Sequence, residues 1–541
     1  MGGIVVSTNI SKQKRNALLE KINQIKNYIS AAPQDENTAN LLTYIGELTK
    51  EINGKKYGLV FEEHREKIDE LLEENAPVLV EQEDLFIDNG GEMNFLIEGD
   101  NLAALKLLEK THKGKIDVIY IDPPYNTGSE DDFIYDDCFI TKTDTFTHSK
   151  WLSFLSNRLV IAKSLLKDTG VIFISIDDNE QAALKMLSDE IFSKESFISC
   201  FCIIRAEGGG LAKQVVKGHD YCLVYAKNIN HFTPLARNKD IRGKIIEKNG
   251  IQYWIQEDWL RKEFGKYGNC HYEEIEEYKG LEYKKEVDSE IEKGNYVLIK
   301  KENGLHIVGK LRRVDSDSSK FYSVLKHLNK DGANELRNIG ITFDYPKPIS
   351  LISELIKGAT FFSKNSTILD FFAGSGTTGH AVMKLNAEDG GNRKFILCTN
   401  NENNICQDVT YQRLKTVITG KRKDGSDYDE NYKASLKYFK INYLPIKDKM
   451  YYEYADELLE HVKELVELEN AIDFNTNKSV AIVLDDDELD DFVKNIADYP
   501  ECKTLYMGHD VLTSYQQEQT IKAHGITINT VPDYYYRDLA N

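Results

Sequence analysis

Residues 115–125 read KIDVIYIDPPY, and this stretch decides the fold. Five of its first seven residues are apolar, and the run VIYI (118–121) is continuous, which is typical of a strand buried on both faces of a parallel sheet. The strand ends in Asp122, Pro123, Pro124 and Tyr125. The two prolines remove two backbone N–H donors and hold the chain extended. Because ligands bind parallel α/β sheets at the carboxyl ends of the strands, we expect these four residues to line a site.

The same pattern continues on both sides of this stretch. Further apolar strands, separated by helical segments, are predicted at NFLIEGDN (94–101), GVIFISIDDNE (170–180), STILD (366–370) and RKFILCTNNE (393–402). Strands that alternate with helices indicate a parallel sheet covered on both faces. The predicted fold class is therefore α/β, with its unusual residues gathered at one edge of the sheet.

The DPPY turn has the chemistry to hold an amino group on a planar ring. The Asp122 carboxylate and the Pro123 carbonyl are acceptors for the two N–H bonds of an exocyclic NH2, and Tyr125 offers a flat face for stacking. The lone pair of such a nitrogen is delocalised into its ring. Two fixed acceptors draw the nitrogen towards tetrahedral geometry and free the lone pair, without any need for a strong general base. The alternative is a structural Pro-Pro turn with a satisfied aspartate.

A second motif, LDFFAGSGTTG at residues 369–379, joins a strand to a helix. Its glycines let a ligand approach the backbone, and the helix N-terminus supplies N–H donors. The run contains G-x-G-x-x-G, so a nicotinamide or flavin dinucleotide would fit this loop as well. Hydride transfer gives the DPPY turn no role, which argues against a dinucleotide enzyme.

The net charge of −20 argues on its face against nucleic acid, but the charge is segregated. Between Arg205 and Lys248 basic residues outnumber acidic ones roughly two to one, whereas acidic residues dominate after Tyr452. DNA binding depends on the local patch, so a basic face stays compatible with this composition. A solvated surface is the alternative for both runs. The eight cysteines follow no zinc-finger spacing, so we expect no metal, and free thiols indicate a reducing, bacterial cytoplasmic setting.

The two motifs together resemble the amino-methyltransferases of DNA. DPPY precedes the glycine loop, as in the circularly permuted beta class of adenine-N6 enzymes. KYGLVFEEH (56–64), LIEGDNLAALKLL (96–108), YIDPPYNTG (120–128) and FDYPKP (343–348) further resemble the modification subunit of type III restriction–modification systems. The resemblance covers most of residues 55–415. It implies a Rossmann-like methyltransferase fold that uses S-adenosylmethionine.

The resemblance also implies roles for individual residues. Asp122, Pro123, Pro124 and Tyr125 would bind and activate a flipped adenine. The residues implied in cofactor binding are Asp100, Lys347, Pro348, Asp370, Phe372, Gly374, Gly376, Thr377, Thr378, Asn401 and Glu402. Within this set, Glu402 or Asn401 would hold the ribose, Asp100 would approach the adenine, and Lys347 with Pro348 would contact the carboxylate.

The predicted organisation has five parts. These are a helical N-terminal region (1–92), the first half of the methyltransferase domain (93–198), an inserted target-recognition domain (199–337), the second half (338–415), and a mixed C-terminal domain (416–541). Helices at the N-terminus and the acidic C-terminal region are the predicted protein contacts. The expected partners are double-stranded DNA, a second copy of the chain and a helicase–nuclease restriction subunit, with no membrane. Alternatives are a cytosine-N4 enzyme, a solitary adenine methyltransferase and a catalytically silent DNA-binding subunit.

Overall fold

The computed structural model of this chain separates it into two compact units, residues 1–61 and 62–541. The structure describes residues 10–31, 36–53, 61–127, 147–208, 215–241, 243–257, 259–260, 270–447, 455–475, 477–508 and 511–531. In the first unit, helices α1 (Ile10–Ala31) and α2 (Glu36–Asn53) pack against each other. Ile22 and Ile45 are buried in this unit. Among the described residues, no helix is long and apolar enough to cross a membrane.

The second unit is built on one large sheet that contains eleven of the described strands. In chain order these are β1 (Asn75–Glu81), β2 (Ile87–Asp88), β3 (Glu92–Glu98), β4 (Ile116–Ile121), β5 (Leu166–Ile176), β6 (Phe197–Ile204), β7 (His219–Ala226), β14 (Val324–Lys326), β15 (Thr367–Asp370), β16 (Lys394–Thr399) and β17 (Ala434–Pro445). Their spatial order is β1-β17-β3-β16-β15-β4-β5-β7-β6-β14, with β2 paired to β17.

The centre of the sheet is parallel, as the sequence predicts. Strands β17, β3, β16, β15, β4 and β5 lie side by side in this order and run parallel to one another. Helices follow these strands and cover the sheet; they are α4 (Asn101–His112), α5 (Thr147–Leu165), α6 (Gln181–Phe192), α9 (Ile349–Ala359), α10 (Thr377–Asp389) and α11 (Gln412–Thr419). The apolar runs that predict β4, β5, β15 and β16 are almost entirely buried, because helices leave neither face of the sheet to solvent.

The sheet is wider than the sequence predicts. The predicted sheet comprises residues 93–198 and 338–415, yet β1 pairs with β17 outside both ranges. Residues 75–81 thus form a strand within the region predicted to be helical, after the helix α3 (Lys67–Glu74). Strands β6 and β7 also extend the sheet, and both come largely from the segment assigned to target recognition. The side chains of β6 are mostly half-buried, whereas those of β7 are mostly buried.

The remainder of the inserted segment forms smaller sheets. Its elements are β8 (Ala236–Asn238), β9 (Ile245–Lys248), β10 (Ile251–Gln256), α7 (Ile275–Glu292), β11 (Tyr296–Lys300), β12 (His306–Arg313) and β13 (Ser318–Lys320). Strands β11, β12, β10 and β9 make one antiparallel sheet, and β13 pairs with β8. Helix α8 (Asn329–Ile339) then leads back towards the large sheet.

The C-terminal residues add a small α/β layer. Its first helices are α12 (Ala455–Leu459) and α13 (Val462–Asn470). Three parallel strands follow, β18 (Val480–Val483), β19 (Thr504–Met507) and β20 (Thr527–Thr530), with helices α14 (Asp486–Lys494) and α15 (Tyr515–Ala523) between them. This sheet has its own apolar core, centred on Leu489, Leu505 and Ile521.

Candidate active site

The DPPY turn lies at the carboxyl end of β4, next to the glycine loop at the end of β15. Strands β4 and β15 are hydrogen-bonded neighbours, with Val118 opposite Ile368 and Ile119 opposite Leu369. The carbonyl of Pro124 accepts a hydrogen bond from Trp151 Nε1 at 2.7 Å. Trp151 is fully buried, so this bond fixes the turn against α5. A role for this tryptophan was not predicted from the sequence.

Asp122 and Tyr125 form a hydrogen-bonded pair. The Tyr125 hydroxyl donates to Asp122 Oδ1 at 2.7 Å and accepts from Lys347 Nζ at 2.6 Å. Lys347 Nζ also lies 3.3 Å from Asp122 Oδ1 and 4.9 Å from the centre of the Tyr125 ring. Burial and then the neighbouring carboxylates raise the pKa of Tyr125. The phenol therefore stays protonated and keeps its O–H as a donor to Asp122.

The glycine loop is ordered around a buried aspartate. Asp370 Oδ1 accepts from the Phe372 N–H at 3.0 Å, and Oδ2 accepts from the Thr378 hydroxyl at 2.5 Å. Burial raises the pKa of Asp370 to about 7, against the lowering effect of these two donors. The Asp370 carboxyl thus fixes both ends of the loop, from the end of β15 to the first turn of α10.

Two glycines of this loop require their residue type. Gly374 and Gly376 have φ angles of +48° and +73°, where side chains are disfavoured. A Cβ on Gly374 would meet nothing closer than 3.8 Å, and its nearest side-chain neighbour would be Phe343 at 4.0 Å. A Cβ on Gly376 would lie 3.1 Å from Thr410. The backbone at Gly374 is therefore open to a ligand, whereas Gly376 packs against its own protein.

Lys347 links the two loops. Its backbone carbonyl accepts from the Thr377 hydroxyl at 3.2 Å, while its ammonium contacts Tyr125 and Asp122. The side chain of Lys347 is thus directed to the DPPY turn in this structure. Its predicted contact with a cofactor carboxylate, and that of the buried Pro348 beside it, stay predictions.

The other predicted cofactor residues lie along the same edge of the sheet. Strand β16 lies between β3 and β15, so Asp100, Asn401 and Glu402 follow the carboxyl ends of strands next to the glycine loop. Asp100 caps α4 by accepting from the Leu102 N–H at 2.7 Å. Asn401 accepts from the Gln407 N–H at 3.2 Å. The structure brings these residues to one edge, and their cofactor roles stay predictions.

Two buried arginines that the sequence analysis missed hold this edge in place. Arg158 Nη1 donates to Glu66 at 2.7 Å and lies fully buried, while Arg158 Nε donates to Asn101 at 2.5 Å. Asn101 in turn donates to the Phe371 carbonyl at 3.1 Å. On the opposite side of the loop, Arg413 donates to the Thr377 hydroxyl at 2.7 Å. Such contacts join residues far apart in the sequence and leave no local pattern.

Two carboxylates near the DPPY turn were also missed. Glu180 is fully buried and accepts from Asn126 Nδ2 and from His148 Nδ1, each at 2.5 Å. Asp220, on β7, lies 3.8 Å from Lys347 Nζ and 2.9 Å from Arg205 Nε. Burial raises the pKa of both carboxyls, opposed by their hydrogen-bonding or cationic neighbours. The local sequence could have indicated Glu180, because it follows the predicted strand GVIFISI at the edge of the sheet where the site lies. No local sequence feature indicated Asp220.

The chain was compared with known families and proteins. Residues 116–411 match the family model N6_N4_Mtase, described as DNA methylase. The chain is 34% identical over 385 residues to the Mod subunit of the type III restriction-modification enzyme StyLTI of Salmonella typhimurium, covering 61% of this chain and 56% of that subunit. It is 35% identical over 343 residues to the type II methyltransferase M.KpnI of Klebsiella pneumoniae, covering 56% of this chain and 79% of that enzyme.

The chain thus spans just over half the length of the StyLTI Mod subunit, and the match with M.KpnI covers most of that enzyme. Among solved structures, PvuII DNA methyltransferase (cytosine-N4-specific) aligns with a TM-score of 0.33 at 12% identity, over 58% of this chain and 86% of that one. The assignment rests on the sequence matches, which extend from β4 through the glycine loop to Tyr411. The chain belongs to the N6/N4 DNA methylase family.

Proposed function

We propose that this chain is a site-specific DNA methyltransferase that transfers the methyl group of S-adenosylmethionine to N6 of a flipped-out adenine. The supporting observation is the position of Asp122. Its carboxylate and the Pro123 carbonyl stand at the end of β4, beside the open backbone of Gly374. Among the described residues, no donor is bonded to the Pro123 carbonyl.

The glycine loop fits S-adenosylmethionine. Gly374 leaves space at the backbone where a Cβ would meet no atom within 3.8 Å, and the N-terminus of α10 directs N–H groups to the same region. The cofactor-side residues would be Asp370, Phe372, Gly374 and Thr377, with Asp100 and Asn401 or Glu402 along the edge. When bound, this cofactor supplies an electrophilic methyl group on a sulfonium centre.

The residues of the DPPY turn would prepare the acceptor nitrogen. The two N–H bonds of the adenine amine would donate to the Asp122 carboxylate and the Pro123 carbonyl, and Tyr125 would stack on the ring. Adenine must leave the duplex to reach such a site. The pair of acceptors draws the amine towards tetrahedral geometry, so its lone pair points out of the ring plane to form the new N–C bond. The amine proton would be released towards the Asp122 carboxylate, and the bond between the sulfonium sulfur and the methyl carbon would break with its electron pair left on sulfur.

Methyl transfer in solution tests this proposal. The purified chain, given S-adenosylmethionine with a tritiated methyl group and unmethylated genomic DNA, should label DNA, and nucleoside chromatography should place the label in N6-methyladenine. Asp122→Ala should label none. The aspartate at position 122 and the resemblance to type III modification subunits favour adenine. Label in N4-methylcytosine would show that the target base is cytosine and not adenine. The absence of label in both nucleosides would overturn the proposal.

We further propose that the chain is the modification and specificity subunit of a type III system in the bacterial cytoplasm, acting as a homodimer with a helicase–nuclease partner. The helices α1 and α2 support self-association, because they expose apolar side chains at helical spacing. These are Leu18, Ile25, Leu41, Tyr44 and Leu48, each at least 46% exposed. Pairing two such hairpins as a four-helix bundle would cover them.

Light scattering tests the dimer. The purified chain should have twice its 61.9 kDa mass, and the double variant Ile25→Glu with Tyr44→Glu should have the monomer mass. Glu20→Lys, on an exposed position of α1, is the matched control and should stay dimeric. A monomer mass for the wild type, with and without DNA, would refute the dimer. Co-purification from the native host tests the restriction partner separately.

A further inference from the structure

One oxygen of the carboxylate proposed to bind the target amine is already engaged. Asp122 Oδ1 accepts from the Tyr125 hydroxyl at 2.7 Å and has the Lys347 ammonium 3.3 Å away. A carboxylate oxygen offers about two acceptor positions, so an N–H bond directed at Oδ1 would displace one of these donors. The ammonium of Lys347 also lies over the Tyr125 ring, 4.9 Å from its centre, so its departure would clear this face for stacking on a base.

Lys347 is the donor that can move. Its side chain is flexible, whereas Tyr125 belongs to the turn fixed by Trp151. The Lys347 side chain is only 11% exposed, so its ammonium needs another anion when it leaves Asp122. The next carboxylate is Asp220, whose Oδ2 lies 3.8 Å from the same nitrogen. A shift of about 1 Å brings the two to normal hydrogen-bond distance.

Asp220 is suited to receive the ammonium. Its side chain is 7% exposed, and it is held on β7, which is paired on both sides, with β5 and β6. Its Oδ1 lies 2.9 Å from Arg205 Nε, yet the N–H is not directed at the oxygen, and both atoms lack a hydrogen-bond partner among the described residues. A buried carboxylate with incomplete hydrogen bonding is costly unless it gains a partner in another state.

We propose that Asp220 is a positioning residue of the base site, which takes the ammonium of Lys347 from Asp122 and Tyr125 when the target adenine enters. This inference rests on the proposed methyl transfer. In the exchange, the Asp122 carboxylate passes from the ammonium to the amine of the base, and Tyr125 is released to stack. No proton or covalent bond is transferred in this step. Asp220 acts only through Lys347 and touches neither reactant.

A double-mutant cycle with Lys347→Met tests the exchange. Asp220→Asn keeps the shape of the side chain and removes its charge, so Lys347 should stay on Asp122. We expect kcat/KM for methylation of unmethylated genomic DNA to fall roughly tenfold or more, with KM for DNA rising and the S-adenosylmethionine affinity in calorimetry unchanged. In the Lys347→Met background, Asp220→Asn should have no further effect. Asp220→Glu should restore most of the activity.

The controls separate the possible failures. Asp189→Asn removes another partly buried carboxylate, paired with Lys185 on α6, and should leave kcat/KM unchanged. Equal losses from Asp220→Asn in both backgrounds, or no loss in the wild-type background, would overturn the role of Asp220. Reduced cofactor affinity or a lower melting temperature in Asp220→Asn would also overturn it, because the residue would then be structural. A wild-type chain that methylates no DNA would instead refute the proposed function.

Discussion

Substitutions at Asp122 and Gly374 should affect two different parts of the proposed reaction, which are activation of the base and binding of the cofactor. Asp122→Ala should abolish methyl transfer and leave calorimetric affinity for S-adenosylmethionine within about twofold, because the carboxylate is proposed to bind the base and not the cofactor. Gly374→Asp should instead abolish cofactor binding, since its φ of +48° strains any side chain and its carboxylate would fill the open backbone region. Gly374→Ala, which shares the strain without the charge, should lose less. Equal loss of cofactor affinity in the Asp122 and Gly374→Asp variants would contradict this division.

Asp370 makes a pH-dependent contribution to stability. Burial raises its pKa in the folded protein to about 7, from an ordinary value of 3.8. Between these values the folded protein holds a proton that the unfolded chain has released, so the stability from this group falls as pH rises. Asp370→Asn cannot ionise and can still accept the Phe372 N–H. We therefore compare how Asp370→Asn changes the free energy of unfolding of the cofactor-free protein at the two pH values. The change should be more stabilising at pH 8 than at pH 5, by about 1 kcal/mol or more.

Thermal unfolding at the two pH values measures this difference. Asp389→Asn is the matched control, because burial raises the pKa of Asp389 but its bond to Arg393 outweighs burial and lowers it. Its stabilising pairing is complete above the unfolded value of 3.8. The control should therefore lose similar stability at pH 5 and pH 8. An Asp370→Asn effect that is the same at both values would contradict a raised pKa.

Among the elements, Glu180 ties the DPPY turn to two helices. It lies directly before α6, and its buried carboxylate accepts from Asn126, just after the turn, and from His148 in the first turn of α5. Asn126 has a φ of +56°, so this bond holds a strained backbone beside Tyr125. Glu180→Ala should lower kcat by roughly tenfold, because small displacements of a reacting geometry are costly.

Hydrogen exchange detected by mass spectrometry reports the same effect without turnover. Peptides that contain residues 122–127 should exchange faster in Glu180→Ala, while those that contain β15 should not. Glu180→Gln keeps one acceptor and should give a smaller change. Glu195→Ala, at an exposed glutamate after α6, should change neither exchange nor kcat. Unchanged exchange at 122–127 in Glu180→Ala would remove the proposed role of this carboxylate.

The same elements show how far sequence reasoning reaches. Continuous apolar runs predicted β4, β5, β15 and β16. Strands that are buried on both faces have apolar side chains on both sides, so their sequences are continuous apolar runs and are easily recognised. Both motifs lie at strand ends for the same reason. The contact between Lys347 and Tyr125 joins residues 222 positions apart, and β1 pairs with β17 across an even longer separation. Local periodicity carries no information about such contacts, so the positions of Asp220, Arg158 and Arg413 could not be predicted.

At the scale of the molecule, the structure indicates which residues should be replaced by those of a relative to change the methylated DNA sequence. The predicted target-recognition segment, residues 199–337, includes most of β6 and all of β7, whose Leu223 and Val224 are buried in the large sheet. Exchange of the entire segment for that of a relative should destabilise the protein. Exchange of residues 236–320 alone, from β8 through β13, should keep methylation and change the sequence methylated, because base contacts specify and phosphate contacts do not.

Single-molecule sequencing reports the outcome of that exchange. An unchanged methylated sequence in a folded, active exchange of 236–320 would place recognition outside these sheets. A protein that folds equally well after exchange of 199–337 would show that β6 and β7 tolerate replacement. The melting temperature of both exchanged proteins distinguishes loss of the fold from loss of recognition.

The central claim is that the acceptors at Asp122 and Pro123 activate adenine N6 within one short DNA sequence. Its most direct test is single-molecule sequencing of DNA from a methylation-free host that expresses this chain, beside the same host expressing Asp122→Ala. The account predicts N6-methyladenine at a single recurrent sequence context with the wild-type chain and none with the variant. DNA without modification, N4-methylcytosine in place of N6-methyladenine, or modification that persists with Asp122→Ala would contradict it.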